Sequence, residues 1–572
     1  MLTKLTIQNF KLFDSVELEL GERVVLIGPN NAGKTTALQA LALWEIGVKR
    51  WIEKRGAGPV PKKRPGVTLN RRDLISVPVP AANLLWNDLH VRAGRHKNGK
   101  PRTENVLIAV TVEGISDGKV WRCGLEFDYA NVESFYCRPL RQADGSRIDV
   151  PKAAANIQVA FLPPMSGLAS TETRLDPGAI NVRLGEGRTA EVLRNLCYQV
   201  LEIDDGNRKW DEIKYHMKSL FGVYLNEPEF IPERGEIIMS YQAHRGPSLD
   251  ISASGRGQQQ TLLLLAHMLV NPRAVLLLDE PDAHLEILRQ HQIYQLLTDV
   301  AAETGNQIIA ASHSEVLLNE AADRDIVIAF VGSPHRIDDR GTQVVKALKE
   351  IGFEQYYQAE EVGWVLYLEG STDLAILRAF ADRLDHPAKP FLERPFVRYV
   401  ANQPRKAQDH FYALREAKSD LVGVALYDRL NQSPPDDPNL GHLTWKKREM
   451  ENYLCQRETL LAYADAEGRK ESGSLFAASW RSRMEEAITE IKTALAALNK
   501  PSPWSDDIKS SDDFLDPLFD NFYKKLELPN LMRKSNYHKL AEFVPKNLLD
   551  SEVREKLDAI EKAAERAKPR RN

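Results

Sequence analysis

Gly28-Pro29-Asn30-Asn31-Ala32-Gly33-Lys34-Thr35-Thr36 places a G-x-x-x-x-G-K-T cradle directly behind the apolar run Val24 to Ile27. Glycines in such a loop let the backbone turn its N–H groups towards phosphates, the lysine adds a point charge, and the threonine hydroxyl reaches a Mg²⁺. Asn30, Gly33, Lys34, Thr35 and Thr36 are therefore the candidate contacts to ATP. The helix expected from Lys34 through Leu41 adds its positive end to the same place. Far downstream, Ala274-Val275-Leu276-Leu277-Leu278-Asp279-Glu280-Pro281 reads as a buried strand ending in two carboxylates. Asp279 is the candidate to hold Mg²⁺ through water, and Glu280 the candidate to orient or deprotonate the water that attacks the γ-phosphate. Ile308 to Ser312 is a further buried strand, and the histidine after it, His313, has the position of a γ-phosphate sensor.

A second set of acids lies further along the chain. Trp364-Val365-Leu366-Tyr367-Leu368 is an apolar strand ending in Glu369, then a glycine turn and a helix start that carries Asp373. Leu421 to Tyr427 is another, ending in Asp428. Carboxylates gathered from strand ends can hold one or two divalent cations that polarise a phosphodiester and stabilise its leaving oxygen.

These groups need scaffolds, and the chain is long enough to build several. At 572 residues core burial is not limiting, and a net charge of −4 gives no global bias towards nucleic acid. Cys123, Cys137, Cys197 and Cys455 are scattered without a C-x-x-C pair, which argues against a zinc ribbon or disulfide framework and for a reducing, cytoplasmic setting. No run approaches about eighteen apolar residues, and the N-terminus alternates like a strand, so no membrane partner is expected.

From Lys49 to Arg72 there are nine Lys or Arg against one acid, and Arg92 to Arg102 is a second basic stretch. These read either as loops tracking a phosphate backbone or as solvated insertions. Val120 to Val150 reads as β structure, and Thr189–Ile203 and Lys209–Phe221 as helices of an accessory lobe. Strands are expected at 325–331 and 343–345, then a helical stretch to Val362. Beyond about 470 the chain is helical and charged, with apolar spacing from Met484 to Leu498 and from Tyr537 to Phe543 that reads as a cap on the sheet before it, and with a tail, Lys568 to Asn572, expected to fray. No heptad array is long enough for a coiled-coil arm.

Ile251-Ser252-Ala253-Ser254-Gly255-Arg256-Gly257-Gln258, ahead of the apolar helix Thr261 to Val270, stands at the position of an ABC signature, where a small turn at a helix N-terminus binds the nucleotide held by a second protomer. The head resembles the SMC-type ABC ATPases, which the opening Leu5-Thr6-Ile7-Gln8-Asn9-Phe10-Lys11-Leu12-Phe13 also matches. Their L-S-G-G-Q spacing is stretched here, so which of Ser254, Gly255 and Gly257 meets the phosphate stays open. Asp282-Ala283-His284-Leu285 takes the place of a D-loop, and Gln158 is the candidate Q-loop residue.

The second acidic set resembles the opening of a TOPRIM domain, except that the family's D-x-D after the second strand is Asp428-Arg429-Leu430. Arg448-Glu449-Met450-Glu451-Asn452-Tyr453-Leu454 resembles the R-E-x-E-N-Y-L segment of TOPRIM domains attached to OLD (overcoming lysogenization defect) family ATPases. That resemblance makes Glu451 a further metal ligand with Glu449 next in line, and offers Lys534 or Lys539 as the lysine near a scissile phosphate. Taken alone, the segment also reads as an exposed charged helix.

The order of parts resembles OLD-family nucleases, including Gabija-type and retron-associated effectors. It implies an α/β fold with an ABC-type ATPase head over 1–345, whose accessory insertions lie within 51–250. Beyond it come a connecting segment over 346–362, a TOPRIM domain over 363–470 and a helical extension over 471–572. The implied activity is an ATP-binding and ATP-hydrolysing endonuclease in anti-phage defence, with Glu280, His313, Glu369, Asp373, Asp428 and Glu451 as catalytic groups. Thr35, Asp279, Glu369, Asp428 and Glu451 are the metal ligands, for Mg²⁺ with Mn²⁺ as the alternative at the second site. DNA is favoured over RNA, the assembly is a homodimer or larger even number paired through the heads, and a defence-system protein or RNA is the expected partner. The competing readings are a non-cleaving sensor or scaffold, and a toxin acting on RNA.

Overall fold

The computed structural model describes all residues except 98–99, 244–245, 322–323, 338–351, 433, 435, 473–476 and 571–572. The strand expected at 343–345 and the first part of the connecting segment lie outside the described residues. The chain divides into two compact units, Met1–Val345 and Lys346–Arg571.

The first unit is organised around two six-stranded sheets. One has the order Val159–Leu162, Val275–Asp279, Gln307–Ser312, Arg23–Ile27, Ile326–Ala329, His335–Arg336, parallel up to the final antiparallel strand. Its central strands are buried on both faces, which is why they read as unbroken apolar runs. Val275, Leu277, Ile309 and Ala311 enter one core, while Leu276, Leu278, Ile308 and Ala310 enter the other. The second sheet is antiparallel and is built from the N-terminal hairpin Leu2–Phe10 and Phe13–Glu19 with Ile108–Ser116, Lys119–Asn131, Ser134–Pro139 and Val67–Asn70.

The helix Lys34–Arg55 packs against both sheets. It is far longer than the turn or two legible from the motif, and it is apolar around most of its circumference because both sides are covered. Trp44 anchors it by donating from Nε1 to the Cys123 carbonyl at 3.0 Å. The basic run from Lys49 is thus partly the last turns of this helix, where cations suit the carbonyl end. Lys49 pairs with Glu45, and Arg50 with Glu53 and Asp73. The stretch from Arg92 is a two-stranded ribbon, Arg92–Lys97 with Lys100–Asn105.

On the other face of the parallel sheet lie the accessory helices Leu193–Glu202 and Gly206–Phe221 and the helix Arg256–Val270. His267 lies inside that last helix, 2 % exposed, with the Ala160 backbone as the one polar group near its ring and neither nitrogen in good hydrogen-bond geometry. Burial lowers its pKa to about 4 against the opposing pull of the Ala160 backbone, so it is neutral and carries the cost of poorly satisfied polar atoms. His267→Leu is expected to stabilise the head by about 1 kcal/mol or more in denaturant titration; a loss of stability would show that the ring makes a polar contact that matters.

The second unit carries a four-stranded parallel sheet in the order Val397–Tyr399, Trp364–Leu368, Val422–Tyr427, Leu440–Thr444. Side chains alternate cleanly between faces. Trp364, Leu366, Leu368, Val422, Val424 and Leu426 share a core with helices from the C-terminal hundred residues, whereas Val365, Tyr367, Ala425 and Tyr427 meet Ala407, Phe411 and Leu414. The chain reverses its direction of travel across the sheet between Trp364–Leu368 and Val422–Tyr427, the point at which open α/β sheets bind ligands beyond their carboxyl ends.

Two readings need correction here. The segment around Glu451 is no exposed helix: Met450–Tyr453 is a buried 3₁₀ turn, tied down by Tyr453 donating to Glu552. The tail is held up to Arg570, because Arg570 N–H donates to the Glu360 carbonyl at 2.9 Å and Lys418 donates to the Lys568 carbonyl at 3.2 Å. Asn572, its last residue, lies outside the described residues. Leu430, which stands in place of the second aspartate of a D-x-D pattern, packs on the apolar core beneath the sheet.

Candidate functional site

In the first unit the cradle, the carboxylates and the histidine all emerge at the carboxyl ends of adjacent parallel strands. Gly28 and Gly33 are obligatory there. A Cβ on Gly28 would lie 2.7 Å from the Phe330 carbonyl oxygen, and one on Gly33, at φ 100°, 2.7 Å from the Phe13 ring. Lys34 is buried and donates to the carbonyls of Gly28 (2.8 Å) and Pro29 (2.7 Å), with its pKa lowered by burial. Asn30 is exposed at the tip, Thr36 is buried, and the first-turn N–H groups of the helix behind them are the donors a phosphate requires.

Thr35 Oγ1 donates to both Asp279 carboxylate oxygens, at 2.9 and 3.1 Å. Burial raises the Asp279 pKa to about 6. A hydroxyl and a half-desolvated carboxylate facing one another at a phosphate cradle are a donor set that suits Mg²⁺.

Glu280 is separated from Asp279 by its backbone. At φ 50° it turns away from the strand, its N–H donates to the Ala311 carbonyl at 2.8 Å, and its Oε1 lies 3.5 Å from His313 Nδ1. Asp282 lies beneath, accepting from Ser312 Oγ at 2.9 Å.

The signature position is only partly as expected. Ser254 is buried and donates its hydroxyl to the Ile251 carbonyl at 2.7 Å, and a Cβ on Gly257 would meet Leu285 at 2.9 Å. Ser254 and Gly257 are thus engaged inside the head, and Gly255, with open space around it, is the small residue that faces outwards.

Gln158 does not belong to the site. It precedes the strand Val159–Leu162, which runs parallel to Val275–Asp279, so it lies at the opposite end of the sheet from the phosphates, roughly 13 Å away along the strand.

In the second unit, Glu369 and Asp428 leave adjacent strands on either side of the reversal point. They come close enough to share a hydrogen bond, and burial together with Glu369 pushes the Asp428 pKa far above the carboxylate range. Asp373 accepts from the N–H groups of Glu369 (3.0 Å) and Gly370 (3.2 Å), so it shapes the turn that presents Glu369. Burial raises the Asp373 pKa to about 6 and that of Glu451 to about 7, and Glu451 also feels Glu449 and Asp373. Glu449 accepts from Ser511 N–H at 2.5 Å and is therefore the more structural of the pair. Lys534 lies beside this end of the cluster, 3.3 Å from Ser511 Oγ, and its charge is felt by both glutamates.

Two contributors were not legible in the motifs. Asn402 Nδ2 donates to Glu369 Oε2 at 2.6 Å, and its Oδ1 accepts from Asp428 N–H at 2.9 Å, so one amide spaces both acids. Lys509 senses Glu369 and Glu449 from the C-terminal extension.

Among the described residues the one group of three or more His, Cys, Asp or Glu side chains whose ligand atoms all lie within 4.8 Å of one another is elsewhere, at His386, Asp558 and Glu561; Glu369, Asp428 and Glu451 are more widely spaced. There the ring Nδ1 accepts from Ala388 N–H at 3.1 Å, so Nε2 carries the proton and donates to Asp558 at 2.9 Å. That arrangement is a buried hydrogen bond with no lone pair left for a cation.

The acids of the second unit predict a pH dependence. Asp373 and Glu451 bind protons more tightly in the folded unit, at about 6 and about 7, than at their ordinary values of 3.8 and 4.5. Their ionisation therefore costs stability progressively as pH rises from about 4 to above 7. Without divalent metal, thermal unfolding of this unit is expected at lower temperature at pH 8 than at pH 5, with Mn²⁺ restoring more at pH 8. Equal Mn²⁺ effects at the two pH values would contradict this.

Comparison with known proteins bears on the first unit. Residues 1–44 match the family described as "AAA ATPase domain", and residues 198–319 match "AAA domain, putative AbiEii toxin, Type IV TA system". Both matched stretches are similar to ATPase domains, and with the cradle and carboxylates above they support ATP binding and hydrolysis by the first unit.

None of the curated proteins matches the chain in sequence. Among solved structures, an SMC head bound to the C-winged helix domain of ScpA is 13% identical, with 59% of this chain and 97% of that one covered and a TM-score of 0.36. The SMC head domain from Thermotoga maritima is 15% identical over 59% and 98% of the two chains, with a TM-score of 0.30. An Smc head with an extended coiled coil bound to the C-terminal domain of ScpA, derived from Pyrococcus furiosus, is 14% identical over 61% and 99%, with a TM-score of 0.34. No helix among the described residues is long and apolar enough to cross a membrane.

Proposed function

We propose that the chain is an ATP-controlled, metal-dependent nuclease of the OLD type, whose second unit is a TOPRIM domain acting on DNA in defence against phage. The observation that carries this reading is the pairing of Glu369 and Asp428 at the reversal point of a parallel sheet, with buried Glu451 near enough for its charge to act on Asp428, and with the proton affinities of Asp428 and Glu451 raised by burial and by neighbouring carboxylates. An all-carboxylate set of this kind is a donor set for a hard divalent cation, which supplies the missing positive charge. Glu369, Asp428 and Glu451 would hold Mg²⁺ or Mn²⁺, and the cation's contribution when bound is to polarise the phosphodiester and steady its leaving oxygen.

The chain's own residues do the rest. Asp373 fixes the Glu369 turn, Asn402 fixes the spacing of Glu369 and Asp428, and Lys534 and Lys509 offer cations to the phosphate backbone of the strand. In the head, Lys34 and the first-turn N–H groups bind the triphosphate, Thr35 and Asp279 hold its Mg²⁺, and Glu280, with His313 beside it, positions the water. Two heads close on ATP with the Gly255 turn of one facing the cradle of the other.

Leu430 favours the second reading, a module that grips nucleic acid or a partner without cutting. An assay of plasmid DNA and total cellular RNA with Mg²⁺ or Mn²⁺, with and without ATP, separates the readings. Metal-dependent cutting of DNA supports the nuclease, cutting of RNA alone moves the substrate to RNA, and intact substrates alongside continued ATP hydrolysis support the scaffold.

A further inference from the structure

The signature turn is held in place by side chains that lie outside it. Gln259, buried in the helix behind, donates from Nε2 to the carbonyls of Ile251 (3.2 Å), Ser252 (3.4 Å) and Ser254 (3.0 Å). At the front, Asp250 Oδ1 accepts from Ser252 N–H at 2.8 Å and so starts the 3₁₀ turn Ile251–Ala253. The same oxygen takes the guanidinium of Arg194 at 2.7 Å.

Arg194 belongs to the accessory helix Leu193–Glu202, and its side chain is 1% exposed. Its other donors go to the carbonyls of Ala169 (3.0 Å) and Ser170 (3.4 Å). Glu172, also buried, accepts the backbone N–H groups of Arg194 and Asn195 at 3.0 and 2.6 Å. One planar fork therefore joins three segments that are distant in sequence: the loop at 169–172, the accessory helix and the signature turn. The helix carries no phosphate-binding motif, and a buried arginine has to find a carboxylate; Arg194 has two, the buried Glu172 at 3.8 Å and, hydrogen-bonded at 2.7 Å, the cap of the turn that carries Gly255.

We propose that Arg194 and Asp250 form a strut through which the accessory lobe sets the signature turn for use by a second head, so that the lobe's state, as well as the nucleotide, decides whether two heads close. Arg194 and Asp250 are positioning residues: neither lies at the cradle of its own head. Breaking the strut leaves ATP binding in cis intact and weakens closure, because the turn no longer has one preferred placement when the partner's nucleotide arrives. The proposal rests on the reading that heads pair across ATP.

The test uses the full chain in a Glu280→Gln background, which retains ATP. Asp250 is the position to change because its side chain is 44% exposed and its replacement leaves Arg194 with the buried Glu172 carboxylate as a partner. ATP-dependent pairing is measured by sedimentation, and ATP affinity with a fluorescent analogue at concentrations below pairing. Asp250→Ala is expected to weaken pairing about tenfold or more with ATP affinity unchanged. Asp250→Asn, which keeps the cap and loses the charge, falls with it, and Asp250→Glu recovers most of the loss. In the hydrolysing chain kcat drops while KM for ATP holds. Pairing by Asp250→Ala as tight as in its parent overturns the strut. A parent that stays monomeric with ATP overturns head pairing itself, and the strut with it.

Discussion

Glu280→Gln is expected to keep ATP bound and to slow its hydrolysis on the order of 10²- to 10⁴-fold, the share a positioned base contributes. The structure divides the labour between the neighbouring acids. Asp279 is occupied with Thr35, whereas the left-handed backbone at Glu280 turns its carboxylate towards His313. Strain of this kind persists where the surrounding structure over-determines it, and here the Ala311 carbonyl pins the turn. Asp279→Asn should instead weaken the Mg²⁺ dependence of binding. Single-turnover hydrolysis beside equilibrium binding distinguishes the two, and wild-type hydrolysis by Glu280→Gln would remove Glu280 from the mechanism.

The other large effect belongs to the second unit. Glu369→Ala removes one of two facing carboxylates at the reversal point and leaves the Asn402 amide bridging to Asp428 alone. Binding of Mn²⁺ in the absence of nucleotide, monitored by electron paramagnetic resonance, should weaken by about a hundredfold or more, beyond the 10- to 100-fold typical of lost supporting contacts. Because Glu369 is exposed and carries a repulsive charge, the variant should unfold at a temperature no lower than the wild type without metal. Unchanged Mn²⁺ affinity would mean that these acids are not a cation site.

Much of the ATPase site was legible because each part is a short string in which an apolar run ends in a chemical group. Parallel strands put those ends side by side, and the same rule explains why Glu369 and Asp428 were found. It also shows why Gln158 was misplaced: it precedes its strand, and in a parallel sheet only residues just past a strand's carboxyl end reach the ligand.

Asn402 carries no such mark, because it lies beyond the short, half-exposed strand Val397–Tyr399, which has no apolar run. Its placement also depends on two successive left-handed residues, Ala401 at φ 48° and Asn402 at φ 56°. Ser254 and Gly257 looked like phosphate contacts by composition; it is Ile251, His284 and Leu285 that engage them, a tertiary fact. Arg194 reads as a surface residue of a helix until the loop at 169–172 folds over it. The helices after 470 were expected to cap the sheet before them, and Phe514, Phe519, Leu557 and Ile560 do share one core with its strands, although local periodicity did not show that they complete the same compact unit.

The central claim is that a metal-dependent nuclease is joined to an ATPase in one chain, and cleavage by wild type and Glu369→Ala side by side tests it most directly. Both proteins are incubated with plasmid DNA and cellular RNA in Mg²⁺ or Mn²⁺, with and without ATP, and ATP hydrolysis is measured in the same tubes. Metal-dependent DNA cleavage by the wild type, none by Glu369→Ala, and equal ATP hydrolysis by both are the expected results. Equal cleavage by the two proteins, or none by either while ATP is turned over, would contradict the claim.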